Sequence, residues 1–423
     1  MSNTTKYALI AVGVLFLAVI LVLLGILPGL KTAQPTTAKI SVWGMRDDES
    51  SWLPVISGFN EKYPNISVKY TKISEDTYEE NLLNALAENK GPDIFMLKNS
   101  WITKHKDKTA PLPQDSIAFS PSDFKNTFAD VAADDLVLKD GNIVGLPLFV
   151  DTPVLLYNKD IFNVAGIAQA PVTWGDVLAD SKKLTRRNAA GDFISSGVAL
   201  GTTQNVTHFF EILNSLFLQS GDKIIDKNSG QLNLTDRSRQ ALDFYTSFTN
   251  PAKSNYSWND RQPESLDAFA QEKTAMVIAL PEDLKTIMAK NPHLNVGVAF
   301  FPQTASTPIP VVYGSYFFPA VSKASLNQAV AWQFILYATS PEGADIYTKA
   351  ANRPAARRDL ISTGLSSGDG NAYILLRQAL IAHSWPVPDE KSAIIIFQSA
   401  IDGLLSKSLG LDQAIEQIRS QLT

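Results

Sequence analysis

The sequence predicts an α/β protein with a parallel sheet, carried behind a membrane-spanning N-terminal helix. Three observations lead there. Residues 39–97 alternate between strand and helix periodicity in the order β-α-β-α-β, which requires parallel strands joined by right-handed crossovers. Tyr7 to Leu30 form a run of 24 residues without Asp, Glu, Lys or Arg, bounded by Lys6 and Lys31. The composition is that of a folded chain: of 423 residues, 45% are hydrophobic and 19% charged. That is enough chain for two or three cores at roughly 150 residues each.

The apolar run comes first. A bilayer core takes about 20 apolar residues as helix, so Tyr7 to Leu27 suffices. A removed secretory signal has an apolar stretch of about 7–15 residues before a small-residue cleavage site. No Ala-x-Ala follows this run. The expectation is an uncleaved transmembrane anchor over 7–27 and a polar tether over 28–38, with the body on the extracytoplasmic side of the cell membrane.

In the body, Ile40 and Val42 have strand spacing up to Trp43-Gly44, and a helix is expected from Ser51 to Tyr63, stopped by Pro64. Ile66, Val68 and Tyr70 alternate with polar residues as a half-buried strand does. Asp76 to Asn89 places Tyr78, Leu82, Leu83 and Leu86 on one helical face and ends at Gly91-Pro92. Asp93 to Leu97 is a short apolar strand. Ligands of such sheets bind beyond the carboxyl ends of strands, here the loops Gly44–Asp48 and Lys98–Trp101. Ile143 to Tyr157 is apolar but carries Pro147 and Pro153, so it is extended and interrupted. Thr173-Trp174-Gly175-Asp176 has the form of a capping box opening a helix through Leu184. Ser340-Pro341-Glu342 is a second helix start, and Leu326–Tyr337 and Asp412–Leu422 have helical periodicity.

The chemistry is mostly defined by exclusion. A net charge of −5 argues against a nucleic-acid platform. The absence of cysteine removes disulfides, thiolate metal sites, a cysteine nucleophile and a thioether-linked lipid. His105, His208, His293 and His383 stand far apart, and neither a Gly-rich phosphate loop nor a Gly-x-Ser-x-Gly elbow is present. No cofactor and no metal is expected. Trp101, Trp258, Tyr313, Tyr316 and Trp385 lie outside helical core stripes; they suit either core packing or stacking on a sugar face.

Several phrases occur in order: Phe59-x3-Tyr63-Pro64-x-Ile66-x-Val68, Gly91-Pro92-Asp93-Ile94-Phe95, and Gly145-Leu146-Pro147 through Tyr157-Asn158-Lys159-Asp160. Pro171-x-Thr173-Trp174, Ala268-Phe269 with Lys273-Thr274-Ala275-Met276, and Asn295-Val296-Gly297-Val298 to Phe301-Pro302 follow. Together, over about residues 39–423, they resemble family 1 extracellular solute-binding proteins of ATP-binding-cassette (ABC) importers, the sugar-binding group that includes maltose-binding protein. The resemblance implies a periplasmic-binding-protein-like fold: two α/β lobes, a hinge and an interlobe ligand cleft. Lobe one would be 39–150 plus 316–363, and lobe two 151–315 plus 364–423. Hinge crossings would fall near Val150–Pro153, Val312–Phe317 and Gly364–Gly370. It further implies a monomeric receptor without covalent chemistry, which closes on a small-molecule solute, a sugar or similar polar metabolite, and presents it to ABC importer permease subunits.

Carried over by position, the ligand contacts would be Met45, Arg46 and Asp47 after the first strand, and Asn99, Ser100 and Trp101 after the third. Asp151 at the hinge, Tyr313, Gly314, Ser315 and Tyr316 at the second crossing, and Arg353 complete the set with Glu282, which stands where maltose-binding protein has a stacking tryptophan. Ala393 to Gln398, whose one aromatic is Phe397, lacks the stacking aromatic that the resemblance leads one to expect there, which points away from maltodextrin towards a smaller or more polar solute. Two rivals remain open on the residues alone: a glycoside hydrolase using Asp151 and Glu282, and a tethered sensor acting on another membrane protein.

Overall fold

The structure is a computed structural model that describes residues 37–221, 224–225, 232–305, 309–368 and 370–422. The expected anchor over 7–27 and almost all of the tether lie outside these residues. Among the described residues, no helix is long and apolar enough to cross a membrane.

The strand–helix alternation at the start of the body is realised. Strands β1 (Ala38–Gly44), β2 (Ile66–Lys72) and β3 (Ile94–Lys98) are parallel, with β1 in the middle. The helix Glu49–Lys62 connects β1 to β2 and buries Trp52, Val55, Ile56 and Phe59. Glu75–Ala87 connects β2 to β3 and buries Tyr78 and Leu82, the Tyr78 hydroxyl donating to the Met96 carbonyl at 2.8 Å. Because the order is β2-β1-β3, the winding reverses between β1 and β3. Their two following loops therefore open on the crevice where such sheets take ligands.

A second sheet contains β4 (Val154–Asn158), β5 (Arg186–Arg187), β6 (Phe193–Val198), β7 (Thr274–Ala279) and β8 (Val296–Ala299), ordered β5-β6-β7-β4-β8. β4 is antiparallel to both neighbours, β7 and β8. The Ile143–Tyr157 stretch becomes a regular strand only at Val154, after Pro153. The capping box forms as expected: Thr173 Oγ1 accepts from the Asp176 amide (3.2 Å), Asp176 accepts from the Thr173 amide (2.9 Å), and the helix runs Trp174–Leu184. Ser340 likewise caps Pro341–Ala351.

Three later strands link the halves. β9 (Val312–Tyr313) pairs with β11 (Ala382–His383), while β10 (Phe317–Val321) adds antiparallel to β3. β10 is an edge strand, so Pro319 can lack its amide hydrogen without breaking the ladder. Buried apolar residues separate into two cores, one drawn from Ile40–Val150 and Tyr316–Ala382, the other from Val154–Tyr313 and Trp385–Leu422. The third passage between cores thus stands at 382–385 rather than at Gly364–Gly370. Gly364 lies inside the helix Arg358–Ser367. Residues expected wholly in the second lobe instead straddle the boundary, with Leu376, Ala379 and Ala382 in the first core and Ile374, Leu375 and Ile381 against the second.

Gly197 of β6 is where the second sheet meets its covering helix most tightly, since a Cβ there would collide with the Ser181 backbone. We expect Gly197→Ala to destabilise by about 1–3 kcal/mol, measured as a lowered urea midpoint. Gly175→Ala, whose Cβ would meet only Thr173 Oγ1 at 3.5 Å on a helical backbone, should leave the midpoint unlowered or raise it slightly.

Candidate functional site

The loop after β1 delivers Arg46 and Asp47. The Arg46 guanidinium donates to Glu75 Oε1 from Nε (3.1 Å) and Nη2 (2.8 Å), pairs through Nη1 with Glu282, and lies 5.0 Å over the Phe317 ring. Asp47 receives Arg353 on one oxygen and the Tyr347 hydroxyl (2.5 Å) on the other. Arg353 reaches this point because Asn352, at φ +53°, ends the Pro341–Ala351 helix in a left-handed turn. Its Nη2 and Nε donate to Asp47 Oδ1 (3.0 and 3.3 Å), and its Nη1 pairs with Asp151 and stands 2.5 Å from Glu282 Oε2. Asp47, Asp151, Glu282, Arg46 and Arg353, all expected in the site, are therefore one cluster.

Its electrostatics follow from burial. Desolvation pushes Asp151 up to about 7, with Arg353 pulling back and Glu282 pushing further. Burial also opposes the charge on both arginines. The carboxylates outweigh it, led by Glu282 for Arg46 and Asp151 for Arg353, and raise both further above their usual range.

The loop after β3 builds the adjoining cluster. Lys98, 7% exposed, sets its ammonium 2.6 Å from Glu390 Oε1 and 3.8 Å from Glu211 Oε1. Trp101 donates its indole N–H to the other Glu390 oxygen (2.8 Å) and meets Phe317 edge-on at 6.2 Å. Around Glu390, at the start of the Glu390–Leu405 helix, Asp389 pairs with Lys104 (2.5 Å) and Lys391 with Glu79 (3.2 Å). His208 contacts Asp283 at 2.6 Å and Glu211 at 3.8 Å. Burial alone would lower its pKa, but Asp283 and then Glu211 raise it to about 10, so it is cationic. Burial would likewise raise Glu211; the His208 and Lys98 cations hold it at about 2.

Most of the remaining expected contacts are engaged within the protein in this conformation. Asn99 donates to Asp135 (3.1 Å) and to the Gly314 carbonyl (3.1 Å) and accepts from the Tyr316 amide, clamping the second passage. The Tyr316 hydroxyl donates to Asp135 (2.8 Å), and the Ser315 amide to the Asp151 carbonyl (3.0 Å). Met45 is buried in the first core. The hydroxyls of Ser100 and Tyr313 are buried without a hydrogen-bond partner among the described residues.

Sequence reasoning missed His208, Glu211, Asp283 and Glu390, and named Lys98 only as the start of a ligand-facing loop. Lys98 had a signal, a cation ending an otherwise apolar strand at a ligand-facing end. Glu390 had none, because its partner is 292 residues away. The assembled site sets cations and an indole from the first half against carboxylates from the second. Among the described residues, no group of three His, Asp or Glu is placed to hold a metal ion.

A family model for bacterial extracellular solute-binding proteins matches residues 43–345. A Brucella abortus protein named only as a binding protein is 24% identical over 286 residues, 66% of either chain, so the match spans just under two thirds of that relative's length. The diacetylchitobiose binding protein DasA of Streptomyces coelicolor is 26% identical over 71% of this chain and 69% of its own. Among solved structures, the cyclic α-maltosyl-1,6-maltose binding protein of Arthrobacter globiformis superposes with a TM-score of 0.77 at 15% identity, covering 92% of this chain and 98% of that one. At that identity the likeness is one of fold.

His208 offers a direct check on the site. A histidine raised from 6.5 to about 10 contributes stability that is complete below pH 6.5 and lost as pH rises through 10. NMR titration should find its ring protonated at pH 8, and His208→Gln should flatten the decline in stability between pH 7 and 10. A midpoint near 6.5 would overturn the pairing.

Proposed function

Since this chain belongs to the bacterial extracellular solute-binding proteins, we propose that it is the receptor of an ABC importer, closing on a saccharide and presenting it to the permease. The observation that carries this is the polarity of the seam: Arg46, Lys98 and Arg353 on one side face Glu282, Glu390 and Glu211 on the other. A sugar hydroxyl accepts from a guanidinium or ammonium and donates to a carboxylate, so one inserted between the faces satisfies both. Trp101 and Phe317 supply ring surface between the two clusters. A solute held by both faces has higher affinity for the closed chain, which is all that closure requires. The saccharides named for the Streptomyces and Arthrobacter relatives support the ligand class.

Both seam faces come from one chain, so a monomer suffices. The hydrolase reading loses ground because Asp151 and Glu282 are both bound to Arg353. Attachment would be through Tyr7–Leu27, whose uncharged length spans a bilayer, with the body outside the cytoplasm.

With the full chain in detergent micelles, a panel of mono- and oligosaccharides should yield one that raises the melting temperature and is recovered chemically unchanged; turnover would overturn the receptor reading. Trp101→Ala should weaken that binding at least about tenfold in calorimetry. In cells, the chain should stay with membranes through alkaline carbonate extraction, and residues 31–423 expressed alone should not.

A further inference from the structure

Parting the seam leaves its two sides electrostatically unequal. On the first side Arg46 keeps Glu75, and Arg353 keeps Asp47 together with Asp151 at the hinge. On the second side Glu390 keeps nothing: among the described residues its carboxylate partners are Lys98 and Trp101, both from the first side. Even in the closed chain the balance around Glu390 is incomplete. Lys98 and His208 are two cations set among three carboxylates, Glu211, Glu390 and Asp283. The neighbouring charges do not correct this, because Lys104 and Lys391 are matched by Asp389 and Glu79.

A second, independent feature marks the same place. The Tyr313 hydroxyl is buried, at 1% exposure, without a hydrogen-bond partner among the described residues, and the acids nearest to it in effect are Glu390 and Glu211. Its amide is already held by Ser215 Oγ (3.0 Å) and its ring by Phe210, so the side chain is fixed with its oxygen free to accept. Two carboxylates and a phenolic oxygen are three acceptors. A primary ammonium has three donors and the one charge that is missing. Hydrogen bonds from a charged donor to a carboxylate are roughly twice as strong as neutral ones, and a hydroxyl in the same place would leave the excess negative charge uncompensated in a buried setting.

We propose that the solute is an amine-bearing saccharide whose protonated nitrogen binds Glu390, Glu211 and the Tyr313 hydroxyl beside Lys98. This rests on the saccharide-receptor reading above and narrows it to a charge class. The ring hydroxyls still bridge the faces at Arg46 and Glu282, while the nitrogen fixes which end of the sugar enters the Lys98 cluster.

The test is calorimetry on the full chain in detergent micelles with three disaccharides of one linkage: β-1,4-linked glucosamine, its N-acetylated counterpart, and cellobiose. At pH 6 the amine should bind at least tenfold more tightly than either neutral sugar. The advantage should vanish at pH 9.5, where the solute amine is neutral. Tyr313→Phe should weaken the amine several-fold more than it weakens the neutral sugars, and Glu390→Gln should abolish the amine preference. If the neutral disaccharides bind as tightly as the amine at pH 6, the charge class is overturned and the saccharide receptor stands. If neither these nor the broader saccharide panel bind, both readings fall.

Discussion

Arg353 carries a positive charge into the interior at the point where three separate parts of the chain converge. Taking a guanidinium out of water costs several kcal/mol, and the chain offsets that with acceptors on nearly every face of the group. Asp47 comes from the loop after β1, Asp151 from the first passage between cores, and Glu282 from the segment after β7, while the Phe149 ring covers the plane at 4.7 Å. Moving the Glu282 segment away takes one of the three carboxylates from this charge and leaves it Asp47 and Asp151. The hinge, the first half of the cleft and the second half are tied through one side chain. A planar fork with five donors can serve three carboxylates at once, which a lysine point charge could not.

The seam beyond Arg353 obeys the same physics with a different outcome. Half-buried Arg46–Glu282 and buried Lys98–Glu390 each exchange the hydration of two charges for one ion pair, a trade that comes close to even. Interlobe contacts of that kind hold the halves in register without making closure irreversible, which suits a body that must open to admit a ligand and close to present it. Asp389, Glu390 and Lys391 show the same economy: three consecutive residues at one helix start each find an opposite charge, or in the case of Glu390 both a charge and an indole, on the facing half. The change of sign between Glu390 and Lys391 fixes the lateral position of one half on the other, because a shift by one residue would set Lys391 against Lys98 or Glu390 against Glu79.

Much of the fold was legible in the sequence, and the reasons are local. Ile40 and Val42 alternate because one strand face is buried; Thr173 and Asp176 cap because their side chains reach amides three residues away; Pro153 stops the strand from starting early. The candidate site was half legible. Arg46 and Asp47 were placed by the loop after the first strand, and Asp151, Glu282 and Arg353 only by the family resemblance, and all five meet. Asn99 and Tyr316 were placed by the same logic, yet their polar groups are engaged with the passage itself through Asp135, a carboxylate that burial raises to about 6. The third passage, which the family resemblance put near Gly364–Gly370, stands later in the chain; Gly364 is instead a close helix contact beside Leu376.

By itself the sequence determined the order of strands and helices over residues 39–97, the parallel pairing of those strands, the loops that follow β1 and β3, and an apolar run as long as a bilayer core is thick. These depend on periodicity, capping and length, which act over a few residues. The tertiary structure alone decided which charges meet. Arg353 finds Asp151 across 202 residues and Asp47 across 306, and Lys98 finds Glu390 across 292. Nothing short-range records those pairings, because burial makes a charge seek whatever partner the packed chain brings within reach, and only packing the two halves against each other sets that list.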